Sequence, residues 1–99
     1  MKKQVYESSD VMFLSGDVNY TEIYLISGKK MVSSFTLLRH EERLENFIRV
    51  SKKHLVNPKY ITGYEVQGKC MHLEMENGNQ LQVSRRKIKN VLSTIATIA

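Results

Sequence analysis

Apolar and polar residues exchange places at every second position along much of this chain. In "NYTEIYLIS", Thr21, Ile23 and Leu25 fall on one face and Tyr20, Glu22 and Tyr24 on the other, the alternation of a half-buried strand. Ahead of it, "DVMFLSGD" is a short apolar run closed by Ser15-Gly16-Asp17; behind it, Gly28 turns the chain into "KKMVSSF". A further strand is expected over Phe47 to Val50, ended by the break at Asn57-Pro58 after a basic stretch. Tyr60 to Val66 and Met71 to Met75 read as two more strands around Gly68, with Met71, Leu73 and Met75 on one face and Cys70, His72, Glu74 and Glu76 on the other. The next hairpin has a register to satisfy. A two-residue Asn77-Gly78 loop would set Met75 against Gln80, so a three-residue turn, Asn77-Gly78-Asn79, is expected, pairing Met75 with Leu81 and Leu73 with Val83.

Two segments carry the longer helical period. Thr36 can cap a short surface helix, "LLRHEERLE", in which Leu37 and Leu44 lie two turns apart and His40 is expected on the solvent side. In "SRRKIKNVLSTIATIA", Ser84 can cap a helix whose stripe is Ile88, Val91, Leu92 and Ile95, with Arg86 pointing almost directly away from it. Tyr24 and Tyr64 are expected to be core or sheet-packing residues. The pattern as a whole predicts a mostly β fold of small packed antiparallel sheets, with one short surface helix and one C-terminal helix.

At 99 residues the chain holds one domain with one core. No repeat or linker divides it, so residues 10–96 are read as the domain and residues 1–9 as an N-terminal extension. No apolar run approaches the ~20 residues that span a bilayer, and "MKKQVYESSD" lacks the apolar core of a signal peptide. Cys70 stands alone, so no disulfide framework is expected, and the expected location is the cytoplasm. Fifteen Lys and Arg against ten Asp and Glu leave a formal charge of +5, which favours a polyanionic partner.

The positive charge is concentrated. Arg49, Lys52 and Lys53 interrupt an apolar stretch, "FIRVSKKHLVN", and Arg85, Arg86, Lys87 and Lys89 open the last helix. The second cluster is at the electrostatically unfavourable end of a helix, at a cost of a few tenths of a kcal/mol per residue. Free N–H groups at that end and the basic side chains would together suit a phosphate. In the first cluster, Phe47, Val50, Leu55 and Val56 can pack beneath a loop that presents Lys52 and Lys53. Arg49, inside a regular strand, is expected to be a structural partner for a carboxylate.

The order of "DVMFLSGDVNYTEIYL", "TLLRHEERL", "FIRVSKKHLVN", "ITGYEV" and "LQVSRRKIKNVL" resembles the LytTR family, a bacterial DNA-binding domain found as the output of response regulators in two-component systems. Its most specific parts here are Phe47-x-Arg49-Val50 followed by Leu55-Val56-Asn57, and Val83-Ser84-Arg85-Arg86 after a hairpin. The resemblance implies a transcriptional regulator that meets double-stranded DNA with loops. Asn19-Tyr20-Thr21 and Arg86 would enter successive major grooves, with Lys52 and Lys53 over the minor groove between them. It implies Arg86 as a bidentate guanine contact, and Arg85 and Lys87 as phosphate contacts. Where the family often has His-Arg-Ser and an aromatic, this chain has Ser51-Lys52-Lys53-His54, which keeps the charge and loses the Arg fork.

The expected partner is DNA carrying repeated half-sites, bound by paired copies, since one small interface gives modest specificity. A receiver domain or sensor would act upstream; no receiver precedes the module, which fits both a free-standing regulator and a portion of a longer one. Neither cofactor nor metal is expected. Cys70, His72, Glu74 and Glu76 share a strand face, but ligands so spaced cannot close around one ion. No phosphate loop or nucleophile context suggests an enzyme. A rival is a protein-interaction module docking an acidic partner, which basic residues scattered around the molecule would favour; RNA binding lacks an evident aromatic platform.

Overall fold

The run Val11-Met12-Phe13-Leu14 does not alternate, yet all four side chains are buried. The strand is covered on both faces, and a β-bulge decides which side each residue takes. In β1 (Val11–Gly16) the pairing with β2 (Thr21–Leu25) jumps between Val11 and Phe13, so Met12 is the extra residue. Met12 and Phe13 join one core cluster, Val11 and Leu14 the other. The central strand thus serves two cores. The computed structural model describes residues 6–98.

With β3 (Lys30–Ser33), β4 (Ile48–Arg49) and β5 (His54–Val56), these strands make a five-stranded antiparallel sheet in the order β3-β2-β1-β5-β4. Only Ile48 and Arg49 of the strand expected over 47–50 are in ladder. A second, three-stranded antiparallel sheet is β6 (Ile61–Gln67), β7 (Cys70–Met75) and β8 (Gln80–Val83), in that order. Met12, Phe13, Val50 and Val56 of the first sheet meet Met71, Leu73, Met75 and Val83 of the second, with Val91 of helix α2 (Ile88–Ile98) closing the side. On the other face of the large sheet, Leu14, Ile23 and Leu55 pack under Leu37 and Leu44, the first residue and the C-cap of helix α1 (Leu37–Arg43). Full burial of each such side chain stabilises the fold by about 1.5–3 kcal/mol. Helix and strand come very close at Gly16, where a β-carbon would stand 2.9 Å from that of Leu37.

The fold class agrees with the pattern reading, and four local expectations are corrected. The last hairpin turns through Glu76-Asn77-Gly78, closed by Met75 N–H to the Asn79 carbonyl (2.9 Å), so Leu73 pairs with Leu81 and Met71 with Val83. The left-handed slot of a three-residue turn is its third position, and Gly78, at φ +89°, occupies it. A shift of two residues keeps every apolar side chain on its face, so alternation could not detect it.

His40 is buried rather than solvent-facing: its ring nitrogens lie 2.9 Å from the Tyr6 hydroxyl and 2.9 Å from Ser33 Oγ. A neutral imidazole, one nitrogen donating and one accepting, fits both partners. Burial, with a smaller contribution from Arg43, holds its pKa below the usual value. Ser84 makes no side-chain cap, because a single 3-10 turn (Arg85–Lys87) precedes α2. Tyr24 stacks on Phe13 at 4.6 Å as expected, whereas Tyr64 is half exposed on the edge strand β6. Of the stretch expected to precede the domain, residues 1–5 lie outside the described residues; Ser9 accepts a hydrogen bond from the Tyr60 hydroxyl and Ser8 one from Asn57.

Candidate nucleic-acid interface

The loop between β4 and β5 is fixed through its backbone. Arg49 Nε donates to the Ser51 carbonyl (2.8 Å), its Nη2 to the Lys52 carbonyl (2.9 Å), and Gly16 N–H to the Lys53 carbonyl (2.7 Å). Every carbonyl of the loop is taken. Arg49 is in turn anchored by Nη1 to Glu41 Oε1 at 2.6 Å, the carboxylate partner that its place in a strand suggested. The neighbours Val50, Leu55 and Val56 are fully buried, while Lys52 and Lys53 are exposed. Mixed apolar and basic sequence therefore yields a rigid backbone carrying two free cations. His54 is not a third: burial, and then the adjacent Lys53 charge, depress its pKa, and its ring lies against Phe13.

Backbone hydrogen bonds tie this loop to both other predicted segments. Gly16, the donor to Lys53, ends β1, and the next turn is closed by Asp17 N–H to the Tyr20 carbonyl (2.8 Å), leaving Asn19 and Tyr20 exposed. Thr21 is different: it is buried, and its hydroxyl donates to the Phe35 carbonyl (2.8 Å), so its side chain sets the strand rather than facing outward. On the other side, Ser84 N–H donates to the Val50 carbonyl (2.8 Å) and carries the Arg85–Lys87 turn up to the loop.

A groove is lined by Lys52, Lys53 and Arg85, with Lys69 of the β6–β7 turn. Arg86 is exposed on the outer side of its turn. Lys87 is half-buried and lines a second groove, with Glu41, Glu45 and Arg49. The structure thus gathers both basic clusters at adjoining loops, with Lys87 turned from the first groove. Lys69 was missed because no local pattern marks it; only folding brings it there. The carbonyl bonds of Arg49, by contrast, reach only two and three residues along the chain.

Among the described residues the ion pairs are Lys30 with Glu22 and Arg49 with Glu41. Lys52, Lys53, Lys69, Arg85 and Arg86 belong to neither, so their charge focuses a positive potential on this edge. Also among the described residues, no group of His, Cys, Asp or Glu could hold a metal ion, and no helix is long and apolar enough to cross a membrane.

Two packed antiparallel sheets with edge helices and a cationic rim of rigid loops define a small β-rich module of the kind that binds a polyanion. The comparison with known families narrows this class. The LytTr DNA-binding domain family matches residues 3–96, and the chain belongs to it. It is a DNA-binding domain. Among solved structures, the chain is similar to the LytTr DNA-binding domain of a protein described as a methyl-accepting/DNA response regulator from Bacillus cereus. The TM-score is 0.81 at 22% identity, covering 91% of this chain and 84% of that one. No curated protein matches.

Proposed function

We propose that the domain is a sequence-specific regulator of transcription that grips double-stranded DNA with loops. The observation that supports this best is the clamped Ser51-Lys52-Lys53 loop, whose carbonyls are all bonded while its two cations stand free beside Arg85. A rigid loop gives up little conformational entropy on docking. Lys52, Lys53, Arg85 and Lys87 hold phosphates and set the register; Asn19, Tyr20 and Arg86 reach base edges, Arg86 as a fork on guanine. Thr21 contributes by fixing the start of its strand. The domain works as pairs on repeated half-sites in the cytoplasm, under a receiver domain or sensor. It needs no metal or cofactor and catalyses no reaction.

A salt titration of duplex affinity tests this. With roughly four to six phosphate contacts the log–log slope should be about −4 to −5. Affinity nearly independent of salt would remove the phosphate grip, and binding confined to acidic polypeptides would make this an interaction module.

A further inference from the structure

The groove beside Lys52 and Lys53 has a second wall that neither basic cluster in the sequence supplies. It is the β6–β7 turn, where Gln67 pairs with Cys70 and Gly68-Lys69 form the tip. Lys69 and Cys70 line the groove together with Lys52, Lys53 and Arg85. Both turn residues are exposed, and Lys69 belongs to no ion pair among the described residues.

Four cations around one groove repel one another, so the arrangement costs free energy until an anion enters. The carboxylates of the same sheet relieve it only in part. Glu65, opposite His72, stands two residues from the turn-flanking Gln67, while Glu74, opposite Gly63 and Gln80, lies toward the far end of its strand. The outer face of the small sheet is therefore most basic at the turn and acidic away from it. A polyanion laid on this face is attracted at one end and repelled at the other.

We propose that the β6–β7 turn is a further DNA-contacting element, with Lys69 holding a backbone phosphate across the groove from Lys52 and Lys53. The proposal rests on the DNA-binding reading above and extends it to a segment outside the three predicted ones. A lysine on a flexible stem is a point charge suited to phosphate, so Lys69 adds grip and register without choosing bases.

Two measurements on the intact domain test it. In Lys69→Gln the salt slope should become shallower by about one, with target and random duplexes weakened by the same factor. Lys29→Gln, an equal charge change at the exposed β2–β3 turn, should leave the slope as it was. Cys70, the one cysteine of the chain and exposed, supplies the second readout. Its alkylation by N-ethylmaleimide should slow severalfold when duplex saturates the unaltered domain, because DNA seated on Lys69 covers the thiol. An unchanged slope in Lys69→Gln, an equal change in Lys29→Gln, or undiminished alkylation in a complex shown by mobility shift to be saturated would each overturn the proposal while leaving DNA binding in place. Failure of the unaltered domain to bind duplex would overturn both.

Discussion

Replacing Arg49 by Ala should weaken duplex binding severalfold although the side chain touches no DNA in the proposed mode. The change removes an ion pair and two carbonyl hydrogen bonds from a half-buried guanidinium. Charge-assisted bonds of this kind imply a loss of about 1.5–3 kcal/mol of folding stability, read from urea melts. The binding loss should exceed what that fraction of unfolded protein explains, because Lys52 and Lys53 would then sit on a loop that must be ordered on docking. Arg49→Lys should rescue little, since an ammonium cannot reach two carbonyls and a carboxylate at once. Glu41→Gln keeps both carbonyl bonds and should be milder. Stability lost with affinity per folded molecule intact would show that the clamp has no part in binding.

Arg86 should behave in the opposite way. It is exposed, makes no ion pair among the described residues and lies off the apolar stripe, in the turn just ahead of the positive end of α2. Arg86→Ala therefore removes no packing and relieves an unfavourable placement of charge, so melting should be unchanged or slightly higher. If Arg86 forks onto a guanine, the same change costs about 1–3 kcal/mol of target binding and relaxes preference at one base pair. Competition titrations with single-position variants of the target would show it. A variant that melts much earlier and discriminates among sites as before would make Arg86 a structural residue.

Sheets and helices were legible because their signals are local. The period-two faces of β2 and β7, the Thr36 cap, whose hydroxyl accepts from Arg39 N–H, and the α2 stripe each lie within one segment. What escaped depends on contacts between segments. The bulge at Met12 puts two adjacent residues into one core, and an apolar run of four says nothing about which side each residue takes. His40 reads as a polar residue on an acidic helix; its burial follows from Tyr6, far away in sequence, and Ser33 at the end of the preceding strand β3. The basic site was half legible in the same sense. Lys52, Lys53 and Arg85 announce themselves as clusters, whereas Lys69 reaches the groove only through a hairpin; Thr21 is buried on the Ile23 face that alternation gave it, with its hydroxyl on the Phe35 carbonyl.

The most direct measurement is selection of bound duplexes from a random pool at a salt concentration that suppresses polycation binding. The account predicts a defined motif, present twice at a fixed spacing of about one helical turn or a multiple of it. A recovered pool indistinguishable from the input, with duplex still bound steeply with salt, would contradict it: the cationic loops would then hold DNA without reading it.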